Sequence, residues 1–144
     1  MTRFVQRLRS TTPRKIMLLP RLLAGAPLVV FSAMHFMNPQ HFRDILTAGG
    51  VPMVEESVWA ASSAEMLGGV LLLTGFFARI GGLLGIGTMV PAILTTVKLA
   101  SLPDAPKTPP LPVPIMVLLA SAVVLVLGGG AWSGDARRTA EQGC

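Results

Sequence analysis

Residues 58–77 read VWAASSAEMLGGVLLLTGFF, an apolar run in which Glu65 is the only charged side chain. At a helical rise of ~1.5 Å per residue, its 20 positions extend about 30 Å, the thickness of the hydrocarbon core of a bilayer. Trp59 lies at one end of the run, where an indole ring favours the boundary with the lipid headgroups. The stretch therefore predicts a membrane-spanning α-helix.

Three further apolar blocks predict spans at about residues 16–37, 80–99 and 115–132, so the expected fold is all-α, a four-helix transmembrane bundle. The first block continues well past Arg21, and we expect a retained helix rather than a cleaved signal peptide. Only Ala78-Arg79 separates the second and third blocks, which predicts a short turn and antiparallel neighbours. Pro91 predicts a kink in the third helix.

The two longer connections differ in character. Residues 38–56 are polar enough for a loop, but Phe42, Ile45 and Leu46 are spaced as on one face of a helix. We therefore expect a short amphipathic helix over residues 41–48, at the membrane interface. Residues 101–114 contain six prolines and predict a stiff, extended loop.

The composition supports lipid as the solvent. Hydrophobic residues make up 51% of the 144 positions and charged residues only 13%, where soluble domains carry about a quarter. The net charge of +5 is concentrated at the N-terminus: half of the twelve Lys and Arg residues lie within the first 21 positions. Because they abut an apolar block, their role is in membrane orientation, and we expect no nucleic-acid partner.

The distribution of basic residues predicts the orientation. If the N-terminus is inside, that side carries nine Lys and Arg residues and the other side carries three. Both termini are therefore expected in the cytoplasm. We divide the chain into a basic cytoplasmic segment (1–15), a transmembrane domain (16–132) and a cytoplasmic tail (133–144).

The sequence offers no recognisable catalytic centre. Cys144 is the only cysteine, so neither an intrachain disulfide nor a CxxC redox pair can form. We identify no catalytic triad, no metal-ligand cluster and no nucleotide-binding motif. The expectation is no catalytic residue, no metal and no identifiable cofactor, although a quinone is compatible with the apolar spans.

Glu65 is the residue most indicative of a site. Inserting a carboxylate at the centre of a spanning helix costs roughly 2.5–3.5 kcal/mol, so such a residue normally has either a polar partner or a functional role. From the predicted start of its helix, it lies about eight residues, or ~12 Å, below the outer end. Two interpretations stay open: a structural hydrogen-bonding clasp between helices, and a functional proton or ligand site.

Polar stripes on the neighbouring helices suggest partners for this carboxylate. His35 lies on one face of the first helix with Arg21, Gly25, Leu28 and Ser32. On the third helix, Thr88, Pro91, Thr95 and Lys98 form another stripe, and Ser62 lies one turn from Glu65. These positions predict a buried pocket in the outer half of the bundle. The predicted site residues are Glu65, His35, Lys98, Ser62 and Thr95.

Small residues predict where the helices approach closely. Ala60, Ala64 and Gly68 repeat at four-residue spacing on the second helix, and Gly81 and Gly85 form a GxxxG pattern on the third. Such patterns favour close contact between helix backbones.

Several of these motifs resemble those of the DoxX-like family of small bacterial membrane proteins. The most specific similarity is AEMLGG at 64–69 followed by LLLTGFFAR at 71–79. RLLAG at 21–25, the basic residue followed by Asn-Pro within 31–39, and GGVP at 49–52 fit as well. The resemblance covers about residues 16–99, and the rest matches only in hydropathy.

This resemblance implies a multi-pass protein of the bacterial inner membrane. Some relatives are small subunits of membrane oxidoreductases or partners of redox-defence enzymes. We therefore expect a non-catalytic anchoring or accessory subunit with a polar pocket around Glu65, in contact with lipid and with oxidoreductase subunits. The alternative is a homo-oligomer that acts as a small proton-linked transporter or binds a quinone or lipid.

Overall fold

The computed structural model describes residues 15–130 and 133–134. Within them it contains helices and no strand, in agreement with the predicted all-α class. A 3-10 turn at Lys15–Met17 precedes five α-helices: α1 (Leu18–Met37), α2 (Pro39–Gly49), α3 (Val54–Thr74), α4 (Ala78–Leu99) and α5 (Pro112–Leu127).

Three of these segments are long and apolar enough to cross a membrane: Lys15–Met37, Val54–Thr74 and Ala78–Leu99. The fourth apolar helix, α5, is shorter, with 16 residues. It begins three residues before the predicted position and ends at Gly128, which has a φ of 79°. Residues 128–130 of the predicted span are described and are not helical, because the glycines end the helix. Ala131 and Trp132, the segment 1–14 and the tail from 135 lie outside the described residues.

The connection between α3 and α4 differs from the predicted one. The chain turns at Gly75 and Phe77, whose φ angles are 68° and 47°, and Ala78 already begins α4. Gly75 can adopt the left-handed conformation without steric cost, and this conformation ends α3 at Thr74. The turn thus lies before Ala78-Arg79 rather than at these two residues.

A ring of four helices is formed by α1, α3, α4 and α5. α1 and α4 each contact α3 on one side and α5 on the other, whereas α1 and α4 have few contacts with each other. Sequence neighbours α3 and α4 run antiparallel because a three-residue turn joins them. Their shared core is apolar and contains residues of all four helices: Ala24, Leu28, Leu72, Ala78, Met89, Val117, Ala120 and Val124.

Glycines allow the helix backbones to approach closely. A Cβ atom on Gly68 would lie 3.1 Å from Leu84 Cβ, and one on Gly81 would lie 3.0 Å from the Gly68 carbonyl oxygen. Gly85 faces Ser121 of α5. The alanines of the predicted pattern differ, because Ala64 is only half-buried and Ala60 is exposed.

The short helix α2 is longer than the predicted 41–48 and lies against α3, α4 and α1. Asn38 caps its start by accepting a hydrogen bond from the His41 amide, and Pro39 occupies the first turn. Gly50, with a φ of 72°, ends it. Its apolar face packs onto α3 through Phe42, Leu46 and Val58.

A candidate ligand pocket beneath the short helix

The centre of the candidate site is a carboxyl–imidazole pair that joins α3 to α1. His35 Nδ1 lies 3.1 Å from Glu65 Oε2, and the side chains are 21% and 5% exposed, respectively. The distance is that of an ion pair, but neither atom has a hydrogen-bond partner with acceptable angles among the described residues. The structure therefore brings together two of the predicted site residues, and it leaves His35 Nδ1 and Glu65 Oε2 without a well-directed hydrogen bond to the described residues.

α3 begins at Val54, before the predicted start at about residue 58, so Glu65 lies farther from the start of its helix than predicted. It is eleven residues from that start, which corresponds to ~16 Å by helical rise. The carboxyl group thus lies near the middle of a 21-residue helix. At such a depth few polar groups are available to it other than those of the neighbouring helices.

Phe42 on α2 fixes the orientation of the His35 ring. The two rings are stacked, with centroids 3.7 Å apart and an angle of 3° between their planes. The sequence indicated that Phe42 shares one face of a short interfacial helix with Ile45 and Leu46, but it gave no sign that this ring would cover a histidine. The imidazole is thus held between an aromatic face on α2 and a carboxyl group on α3.

A cavity of about 360 Å³ opens next to this pair. Its walls come from α1, α2, α3, α4 and the start of α5, and they are mainly apolar. Threonine hydroxyls add polar positions on one side. The residues that line the cavity include Phe31, His35, Ile45, Glu65, Met89 and Thr95.

The other predicted site residues divide into two groups. Thr95 lines the cavity. Ser62 is buried but does not line the cavity, and its carbonyl oxygen accepts a 2.7 Å hydrogen bond from Ser32 Oγ. Lys98 does not join the pair. Its ammonium group donates a 2.7 Å hydrogen bond to the Gly49 carbonyl oxygen, since the long side chain reaches the unsatisfied carbonyls at the end of α2.

A second contact holds α2 in place. Arg43 and Glu55 form a two-pronged ion pair, with Nε–Oε2 and Nη2–Oε1 distances of 2.6 and 2.5 Å. The hydrogen bond to Glu55 raises the pKa of Arg43, so the guanidinium remains charged. α2 is thereby tied to α3 by Arg43 and to α4 by Lys98, above the cavity.

Arg21 has a role that the sequence analysis did not assign to it. The residue is only 2% exposed, and it donates hydrogen bonds to the carbonyl oxygens of Leu72, Leu73 and Gly129 at 2.8, 2.7 and 3.2 Å. These bonds satisfy carbonyls at the end of α3 and join α1, α3 and the segment after α5. The available signal was its position on the same face as Gly25.

A family comparison covers most of this site. The model of the DoxX family matches residues 16–98, which is more than half of the chain. The match includes α1, α2, α3 and nearly all of α4, and with them the His35–Glu65 pair. No curated protein and no solved structure matches the sequence.

Proposed function

Because the chain belongs to the DoxX family and is an integral membrane protein, we propose that it is a non-catalytic subunit of a membrane oxidoreductase system, with a cavity that binds a quinone-type ligand. The observation that carries the proposal is the cavity beside the unsatisfied His35–Glu65 pair. The role as a subunit is supported by the family resemblance.

The cavity suits an amphiphile with a ring-shaped head. Its volume of about 360 Å³ falls in the range of small-molecule sites, which combine apolar walls with a few polar groups. Phe31, Ile45 and Met89 would contact the faces and edge of a ring, and Glu65 and His35 would bind its oxygen substituents. The apolar tail of such a ligand is compatible with the surrounding lipid.

The proposal includes the membrane arrangement. Four crossings by α1, α3, α4 and α5 would place both termini in the cytoplasm of a bacterial cell, with the protein in its inner membrane. The excess of nine basic residues over three supports this orientation. The pocket would then lie in the outer half of the bilayer, with α2 at the outer interface.

Affinity purification in a mild detergent tests the proposal. We expect oxidoreductase subunits to co-purify and an organic extract of the complex to contain quinone, identified by mass spectrometry. Glu65→Leu should lower the extracted quinone about ten-fold, through the loss of a hydrogen bond to the carboxyl group, and should leave the co-purifying subunits unchanged. Ser63→Ala is the matched control, since Ser63 is exposed on the same helix.

An alternative function is proton-linked transport or lipid binding by a homo-oligomer. The observation that favours it is the Glu65–His35 pair, because a carboxyl group and an imidazole can exchange a proton within the membrane. Purified protein in vesicles containing a pH-sensitive dye would then move protons, and Glu65→Leu would stop the movement. A homo-oligomer with proton flux and without co-purifying subunits would replace the first proposal with this one.

A further inference from the structure

The contact between α3 and α4 changes in character along its length. Near the turn that joins the two helices, their backbones lie close together: a Cβ atom on Gly68 would lie 3.1 Å from Leu84 Cβ. At the opposite end, α2 lies against both helices, and Lys98 ties it to α4. The cavity beside Glu65 lies between these two closed parts, and α3 and α4 both contribute to its walls.

Two residues mark an opening of the cavity between α3 and α4. Ala60 on α3 and Pro91 on α4 line the cavity, and both are exposed at the surface of the protein. Ala60 lies about three turns from Leu71, which packs against α4. Pro91 lies about two turns from Leu84, which packs against α3. Each residue is therefore on the side of its helix that faces the other helix, at the mouth of the cavity.

The opening lies at a depth where lipid acyl chains are expected. Ala60 is six residues from the start of α3 and Pro91 eight residues from the end of α4, so they lie ~9 and ~12 Å from the helix ends next to α2. Half of the hydrocarbon core of a bilayer is about 15 Å. Val90 and Leu94, near Pro91 on α4, are exposed and apolar. Glu65 is a further five residues, or ~7.5 Å, deeper than Ala60.

We infer that the ligand of this cavity is a long-tailed amphiphile that enters from the bilayer, with its head beside Glu65 and its tail leaving between Ala60 and Pro91. This inference rests on the proposed function and specifies the tail of the ligand and its route. The side chains of Ala60 and Pro91 carry no polar group, so the rim suits an alkyl chain. A tail on this route remains in apolar surroundings along its whole length, which avoids exposing it to water.

A competing route passes the loop between α4 and α5. Pro109 of this loop lines the cavity and is exposed, and Thr108 lines it as well. The loop is attached to α2, because His41 Nε2 donates a 3.1 Å hydrogen bond to the Lys107 carbonyl oxygen. This route leads toward the end of the bundle next to α2, where water and headgroups are expected, so it suits a ligand without a long tail. The two routes therefore predict different positions for the tail.

Photolabelling of the purified full chain in lipid nanodiscs locates the tail. The probe is decylubiquinone with a diazirine in its alkyl tail, and adducts are mapped by proteolysis and mass spectrometry after irradiation. Only adducts that excess unlabelled decylubiquinone suppresses are counted, because the probe also dissolves in the lipid. We expect these adducts on α3 and α4 around the opening, within residues 56–67 and 87–97.

Ala60→Phe narrows the opening and tests the route independently. Ser63→Phe is the matched control, because Ser63 is exposed on the same helix and does not line the cavity. We expect Ala60→Phe to weaken the binding of decylubiquinone at least about ten-fold, since a phenyl ring would occupy the path of the tail. Binding of the same quinone ring without a tail should be unchanged. Ser63→Phe should bind both probes as the wild type does.

The outcomes separate this inference from the proposed function. If the suppressible adducts lie on the loop at residues 101–111, or if Ala60→Phe weakens both probes equally or neither of them, the lateral route is overturned while the quinone site stands. If neither probe binds to the wild type, the quinone site itself is refuted, and the inference with it. The adducts on the wild type decide the route even if Ala60→Phe does not fold.

Discussion

Replacing Arg21 with Met should lower the free energy of unfolding by about 3–5 kcal/mol, because it removes several hydrogen bonds from a buried charged donor. The side chain is 2% exposed and donates hydrogen bonds to the carbonyl oxygens of Leu72, Leu73 and Gly129. Each bond to a charged donor contributes about 1.5–3 kcal/mol, and the three are not fully additive. Met fills much of the same volume, so the loss reports the hydrogen bonds rather than a cavity.

The assay is reversible unfolding of the purified protein in mixed micelles, followed by circular dichroism. Arg79→Met is the matched control, because Arg79 is half-buried and makes one 3.2 Å hydrogen bond, to the Val126 carbonyl oxygen. We expect this variant to lose about 1 kcal/mol or less. Arg21→Lys should fall between wild type and Arg21→Met, since an ammonium group cannot reach three separate carbonyls in the planar geometry of a guanidinium. Equal losses in Arg21→Met and Arg79→Met would refute the reasoning.

Two further predictions concern helix packing and orientation. Gly82→Ala should destabilise the protein by about 2 kcal/mol or more, because its new Cβ would lie 2.7 Å from the Ser121 carbonyl oxygen. Gly87→Ala, with nothing within 4 Å of the new Cβ, should be neutral or stabilise by up to about 1 kcal/mol. Thermal unfolding of both variants measures these changes, and equal effects would contradict the packing. Cys144, the only cysteine, should react with a membrane-impermeant maleimide only after the cells are permeabilised; labelling of intact spheroplasts would reverse the proposed orientation.

The spans were predictable from hydropathy because a lipid environment requires long uninterrupted apolar helices. The buried face of α1 was predictable too: Arg21, Gly25, Leu28 and Ser32, assigned to one face by their spacing, are all buried. Exact ends were harder to predict. α3 ends at Thr74 because Gly75 adopts a left-handed conformation, and the apolar character of the next residues concealed that turn.

The candidate site was predictable for side chains whose location follows closely from their position on the helix. His35 and Glu65 lie 3.1 Å apart, on the helix faces that their spacing indicated, although Glu65 lies deeper in its helix than predicted. Lys98 was harder to place, since a long flexible side chain can reach partners other than the nearest carboxylate, and here it reaches the end of α2. The stacking of Phe42 on His35 depends on how α2 folds back over the helices, which local sequence patterns do not encode.

The two attachments of α2 have a mechanical consequence. Arg43 fastens one part of this helix to Glu55 on α3, and Gly49 at its other end is fastened by Lys98 to α4. α2 is therefore connected to both α3 and α4, and its residue Phe42 stacks on His35, so a movement of α2 would also move the His35 ring. A change in the spacing between the start of α3 and the end of α4 would therefore move α2 and change the shape of the pocket from a distance.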